Sequence, residues 1–251
     1  MENLSQKETP TYLIIGATGG IGSDLSRKLR QESNNVILSS NNIGKLEHLS
    51  KELDSDYYEL DATKFSDVEN CINHIVDKYH KLDGVVNCVG SILLKPSHIT
   101  SEEEWKNTVS LNLTSAFATV RSSARSMMES NGGSIVLVSS AAALVGLTNH
   151  EAIAAAKAGV IGLVLSAAAT YSRYGIRVNC VAPGLVRTPL TETLTQNDTI
   201  VKKSERMHAL GRLGNPKDVS SAISWFLHSD QNWVTGQVLG IDGGLAKIKA
   251  R

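Results

Sequence analysis

Seven residues near the N-terminus, Gly16-Ala17-Thr18-Gly19-Gly20-Ile21-Gly22, have types and spacing suited to holding a phosphate. They follow an apolar run, Tyr12-Leu13-Ile14-Ile15, and open a helical stretch reaching about Arg30. Glycines let the backbone turn tightly and approach a pyrophosphate, and a helix N-terminus adds free N–H groups and partial positive charge. A tight strand-to-helix packing turn needs glycines too, so the triplet alone does not name a ligand. The strand before it, the helix after it and the second strand beyond point to nucleotide binding. A second group with chemical potential is Asn149-His150-Glu151-Ala152-Ile153-Ala154-Ala155-Ala156-Lys157. On a helix His150, Ile153 and Lys157 share one face. An imidazole titrates near neutrality and suits proton transfer.

These residues need a scaffold, and the sequence describes one. Apolar runs read as buried strands at Tyr12 to Ile15, Asn35 to Ser39, Tyr57 to Leu60 and Gly84 to Val89. Others lie at Ser134 to Val138, Arg177 to Val181 and Gln237 to Ile241. Helical stretches separate them. Apolar strands alternating with helices predict an α/β fold, a parallel sheet covered on both faces. The chain of 251 residues suits one large domain. No internal repeat, linker or low-complexity segment interrupts it. The domain is expected over 11–246, with loose tails at 1–10 and 247–251.

Formal charge is balanced, with 25 basic and 25 acidic residues and no block of one sign. Neither nucleic acid nor an anionic membrane is an expected partner. Cys71, Cys88 and Cys180 are far apart without metal-ligand spacing, and read as reduced, buried thiols of a cytoplasmic protein. No metal is expected. The polar start of the chain lacks a signal-peptide core, and no run of about 18 apolar residues suggests a membrane span.

At this point the chain resembles a short-chain dehydrogenase/reductase, on motifs met in that family's order from about residue 11 to 246. The spacing Gly16-x-x-x-Gly20-Ile21-Gly22 is similar to its glycine-rich motif, with Ile15 replacing the usual threonine. Asp61-Ala62 resembles the segment that holds the adenine amino group. Asn87-Cys88-Val89-Gly90 resembles Asn-Ala-Ala-Gly with two substitutions. Asn112, in Val109-Ser110-Leu111-Asn112-Leu113, resembles the asparagine of the active-site helix. Ser140 resembles the active-site serine. Pro183-Gly184, Val186 and Thr188 resemble the turn beneath the nicotinamide, and Asp242-Gly243-Gly244 the C-terminal strand end.

The resemblance implies a Rossmann-like doubly wound sheet of about seven strands and an oxidoreductase using NAD(P)(H). It gives Ser140 the substrate oxygen, Lys157 the nicotinamide ribose and Asn112 a proton-relay water. It also exposes a departure. The family places a proton-transferring tyrosine four residues before this lysine, and here the position is Ile153. Ser140 lies 13 residues before Ile153, the family spacing, so a register shift does not restore the tyrosine. Tyr171 lies roughly 20 Å or more along the helix from Lys157 and cannot substitute. Losing a positioned general acid costs about 10²–10⁴ in rate.

Three explanations stand. His150 replaces the acid one turn away; its alternative is a polar first-turn residue of a helix capped by Asn149. The reaction is reduction of a conjugated C=C bond, which puts the proton on carbon. Or the protein keeps the nucleotide pocket and has weak or no chemistry. Cofactor choice turns on the end of the second strand, Ser39-Ser40-Asn41-Asn42. No carboxylate there repels a 2′-phosphate, and Ser40 and Asn41 could donate to one. NADP(H) is expected to be preferred, with NAD(H) possible; the nearest cation is Lys45.

The loop from Leu185 to about Arg212 is expected to form a substrate lid, with His208 on its surface. The substrate is expected to be a small molecule, a carbonyl, alcohol or conjugated enone. The Ala-rich helix 151–171 and the long helix before it, about 104–129, resemble the family's four-helix interface. A homo-oligomer follows, either dimer or tetramer.

Overall fold

The computed structural model describes residues 9–130 and 132–249. The strands are β1 (Thr11–Ile15), β2 (Asn35–Ser40), β3 (Tyr57–Glu59), β4 (Gly84–Asn87), β5 (Gly133–Val138), β6 (Ile176–Pro183) and β7 (Val238–Ile241). They form one parallel sheet in the order β3-β2-β1-β4-β5-β6-β7. The helices that matter for the site are α1 (Gly20–Gln31), α2 (Ile43–Leu53), α3 (Phe65–Tyr79), α4 (Glu102–Val109) and α5 (Ser115–Glu129). They continue as α6 (Glu151–Tyr171), α7 (Glu192–Thr195), α8 (Asp198–Met207) and α9 (Pro216–Leu227).

The sheet is apolar on both faces because helices cover both. Leu13, Ile15, Val85, Ile135 and Val178 pack against α3, α5 and α6. Tyr12, Ile14, Val86, Val136 and Val181 pack against α1, α2 and α9. Alternate residues of each strand thus enter opposite cores, as the period of two requires. The order reverses at β1, so the carboxyl ends of β1 and β4 open a crevice where this topology places its ligand. The predicted seven-stranded, doubly wound sheet is the sheet observed.

Several boundaries differ from expectation. Strand β4 stops at Asn87, because the Asn87 side chain accepts the Val89 N–H at 2.8 Å and turns the chain out of the sheet. Cys88 therefore lies just past the strand. Strand β3 ends at Glu59 and β6 runs two residues further than expected, to Pro183. The long helix expected at 104–129 begins at Glu102, with Ser101 and Glu104 forming a capping box. A π-turn, Ser110–Thr114, interrupts it at Asn112. Helix α6 with its last turn, 151–174, is long and apolar enough in composition to cross a membrane, contrary to the sequence expectation. In the fold this helix packs along β6 and carries the buried Lys157. Segments 1–8 and 250–251 of the expected tails lie outside the described residues. Pro10 is tied to β2 by the Asn35 N–H, and the Ile248 N–H donates to Gly244.

Candidate active site

The glycine turn is held by backbone. Gly16, at φ +82°, and Ala17 both donate to the Ser39 carbonyl, at 2.8 and 2.9 Å, which pins the turn to the end of β2. A side chain on Gly22 would collide with the Gly16 carbonyl, and one on Gly20 would meet Thr188 Cγ2 at 2.7 Å. Those glycines let α1 start directly against the turn, with Ile21 in its first residues. Thr18 Oγ1 lies 2.7 Å from Ser40 Oγ, and Ser40 also accepts the Asn42 N–H. Ser40 is buried, Asn41 is exposed, and Asn42 caps α2 by accepting the Lys45 N–H.

Beside this point a cavity of about 410 Å³ is lined by Thr18, Ser23, Arg27, Lys45, His48 and Glu52, among others. Arg27 is paired with Glu52 at 2.5 Å. Among the described residues no hydrogen bond engages the side chains of Lys45 and His48, and His48 lies near enough to Glu52 to help Arg27 hold its carboxyl below the usual range. Asp61 follows β3; the Thr63 hydroxyl and N–H donate to its Oδ1 and hold its carboxyl below the usual range. Ala62 beside it is buried.

On the other side of the crevice Asn87 is buried, donating to Thr119 and Ser115. Gly90 faces two polar ends: a Cβ there would lie 2.9 Å from Asn112 Oδ1 and 3.4 Å from Lys157 Nζ. Asn112 is fully engaged. Its Oδ1 accepts the Ser91 N–H, and its amide donates to Ser91 Oγ and the Thr108 carbonyl, both at 2.9 Å. Lys157 Nζ donates to the Val138 carbonyl at 2.8 Å. Burial pushes Lys157 down to about 8, with the neighbouring Cys88 and Cys180 opposing the shift weakly. The thiols of Cys88 and Cys180 are themselves pushed up to about 12 by burial. All three cysteines are free.

Ser139 donates to the Lys157 carbonyl and fastens α6 to the end of β5. Ser140 accepts the Ala142 N–H at 3.1 Å, which occupies a lone pair and leaves its O–H as a donor. Ile153 is buried at 5% exposure, on the same helix face as Lys157 and one turn earlier.

His150 departs from expectation. It is the residue before α6, with non-helical angles, so the shared face holds for Ile153 and Lys157 and does not extend to it. Its Nδ1 lies 2.7 Å from the Thr148 carbonyl. Asn149 does not cap the helix; it adopts φ +64°.

The segment expected to form a lid follows Pro183 and Gly184, and the Gly184 N–H donates to the Ile241 carbonyl. Val186 bridges to Gly214, and Thr188 forms a capping box with Thr191. Helices α7 and α8 follow. His208 is not on the surface: it is 3% exposed and hydrogen-bonded on both ring nitrogens. Ser91 and the Val138 carbonyl were invisible as site residues in the sequence, and so was the burial of His208, since nothing in their local pattern marks a contact across the fold.

Residues 16–246 match the family model described as Enoyl-(Acyl carrier protein) reductase. The chain is 34% identical over 249 residues to the 3-oxoacyl-[acyl-carrier-protein] reductase FabG of Thermotoga maritima, covering 95% of this chain and 98% of that one. It is 31% identical over 245 residues to the short-chain dehydrogenase/reductase aba4 of Botryotinia fuckeliana, covering 92% and 94%. Among solved structures it is similar to a short-chain type dehydrogenase/reductase from Mycobacterium ulcerans, with TM-score 0.92, 29% identity, and 96% and 91% of the two chains covered. It is also similar to ElxO with NADP bound, with TM-score 0.90, 29% identity, and 96% and 100% covered. The sheet order, the glycine turn and these matches agree: the chain belongs to the short-chain dehydrogenase/reductase family of oxidoreductases.

Proposed function

We propose that the protein is an NADP(H)-preferring oxidoreductase acting on a small carbonyl or conjugated enone without the family's tyrosine. The observation that carries this reading is the meeting of Asn112 Oδ1 and the buried Lys157 Nζ at Gly90, with Ser140 just past the end of the neighbouring strand β5. The residues fit a dinucleotide. Gly16, Gly20, Ile21 and Gly22 would hold the pyrophosphate at the start of α1. Asp61 and Ala62 would hold the adenine, and Thr18, Ser40 and Asn41 its ribose. Lys45 and His48, facing a cavity beside Thr18, fit a 2′-phosphate. Asn87 and Gly90 would line the crevice, Lys157 would take the nicotinamide ribose, and Pro183, Gly184, Val186 and Thr188 would form the turn beneath the ring. The NADP bound to the similar ElxO supports the same preference here.

The nicotinamide, when bound, supplies or accepts a hydride. Ser140 donates its free O–H to the substrate oxygen. Ile153 supplies no proton and makes that wall apolar. His150 is the N-cap residue of the same helix, off the Ile153–Lys157 face, and is the candidate acid: Nδ1–H bound to the Thr148 carbonyl leaves Nε2 to carry and release a proton. An enone, protonated on carbon, would need only the donors at oxygen. Phe117 on α5 and Leu165 on α6, 48% and 53% exposed, suit a dimer or tetramer built on these helices.

The second reading is a nucleotide-binding protein with little chemistry; the buried Ile153 favours it. Nicotinamide absorbance over a carbonyl and enone panel separates the two. Turnover with any member supports the enzyme; nucleotide binding with no turnover across the panel supports the second reading.

A further inference from the structure

His208 stands where three elements meet: the end of α8, the turn after β6 and the end of β7. Its Nδ1 lies 2.6 Å from the Ser204 carbonyl on its own helix. Its Nε2 lies 3.2 Å from the backbone nitrogen of Leu185. A carbonyl can only accept and a backbone N–H can only donate. One protonation state satisfies both: Nδ1 carries the hydrogen and Nε2 offers its lone pair.

The contact is close enough to constrain the neighbours. A Cβ on Gly184 would sit 2.5 Å from Nε2, so the ring lies against bare backbone. Gly243 abuts the same side chain, where a Cβ would lie 3.5 Å from His208 Cβ, and the Leu210 N–H donates to the Gly243 carbonyl. From Leu185 the chain continues through Val186 to Thr188, which touches Gly20 of the glycine turn. His208 thus ties a lid helix to the strand-end turn that leads back to the nucleotide end of the sheet.

We propose that neutral His208 is a positioning residue that latches the lid onto the Pro183–Thr188 turn, and that its protonation releases the latch and weakens nucleotide binding. The proposal rests on the nucleotide site described above. An imidazolium has no lone pair, so its Nε2–H would face the Leu185 N–H with nothing to accept either hydrogen. The charged groups around the ring do not offset this. Arg212 and Asp218, which line the 370 Å³ cavity beside it, are paired with each other at 2.7 and 3.0 Å. Asp242, at the end of β7, accepts the Gly244 and Ala246 N–H groups, both at 2.9 Å. On α8, Glu205 and Arg206 are near in sequence, yet neither bonds the ring, whose two partners are both backbone.

Three readouts on the full chain test this. Nitrogen NMR of the histidine rings should find His208 in the Nδ1–H tautomer at slightly alkaline pH; an Nε2–H tautomer or an imidazolium there overturns the proposal. NADH titrations followed by fluorescence, which leave out the 2′-phosphate proposed to face His48, should show affinity falling toward mildly acidic pH. His208→Gln, whose amide offers one donor and one acceptor but no titration, should bind as the wild type does at neutral pH and lose that acid-side fall. His208→Leu should bind about tenfold more weakly at every pH. A glutamine variant that keeps the wild-type fall, or a leucine variant that binds normally, refutes the latch. If the leucine variant does not fold, the tautomer and the glutamine comparison decide. Limited proteolysis of the Leu185–Arg212 segment without nucleotide should be faster at mildly acidic pH in the wild type and unchanged in His208→Gln. A protein that binds no pyridine nucleotide but passes the tautomer and proteolysis tests loses the nucleotide reading and keeps the latch. Failure of the tautomer or proteolysis test in a protein that does bind NADPH overturns the latch alone.

Discussion

Lys157→Met replaces a buried ammonium with an apolar chain of similar length, and the variant should be more stable than the wild type when no nucleotide is added. Burial pushes the Lys157 ammonium down from 10.5 to about 8. At about 1.4 kcal/mol per pKa unit, holding the charge in the folded protein at neutral pH costs about 3 kcal/mol relative to the unfolded chain. The substitution also strips the Val138 carbonyl of its donor, a loss of about 1–2 kcal/mol. The balance favours the variant by about 1–2 kcal/mol, a rise in melting temperature of about 2–8 °C. The sign with pH follows from linkage. Between about 8 and 10.5 the unfolded chain holds a proton on Lys157 that the folded form has lost, so Lys157 contributes a rise in wild-type stability through that window, set against the fall that the raised Cys88 and Cys180 thiols bring to wild type and variant alike. The methionine variant should lack the rise. Thermal melts across the window, with and without NADPH, measure both effects; the nucleotide should stabilise the wild type more than the variant, because Lys157 is its proposed ribose contact. A variant that melts several degrees lower at neutral pH, or a wild type that gains nothing on the variant between about 8 and 10.5, would refute the reasoning that burial of this charge is unfavourable until a ligand engages it.

Ile153→Tyr should introduce or raise carbonyl reduction, because the proposed site keeps Ser140, Asn112 and Lys157; no gain over the carbonyl panel would mean that the substrate pocket is not competent. His150→Ala should lower any turnover by roughly a hundredfold if the imidazole is the acid, and an unchanged rate removes it. Lys45→Ala and His48→Ala should each weaken NADPH binding several-fold in a titration while leaving NADH unaffected; equal losses for both nucleotides would argue against a 2′-phosphate at this cavity. Gly90→Ala should lower nucleotide affinity by pressing a methyl against Asn112 Oδ1, whereas Gly146→Ala, where a Cβ meets open space, should leave it unchanged.

The sheet was legible because its signal is redundant. Seven apolar runs, each separated by a helical stretch, admit few arrangements, and the buried faces of β1, β2 and β4 leave little freedom in register. Glycine positions were legible for the same reason: Gly16, Gly22 and Gly90 each stand where backbone or a polar side chain leaves no room for a Cβ. What could not be read was contact between distant segments. His208 looks like an ordinary lid residue, and only the meeting of α8 with the turn after β6 buries it. The helical face proposed for His150 failed by one residue, because Asn149 at φ +64° delays the start of α6. Strand ends shifted where a side chain, such as Asn87, captured a backbone N–H in place of a neighbouring strand.

Every role proposed for this site requires a nucleotide lying between the glycine turn and Lys157. Calorimetric titration of the full chain with NADPH and NADH measures it. Saturable binding of about one NADPH per chain is expected, tighter than NADH and weakened in Lys157→Met. Absence of heat with either nucleotide at millimolar concentration, or binding indifferent to Lys157 and to the glycine turn, would contradict it.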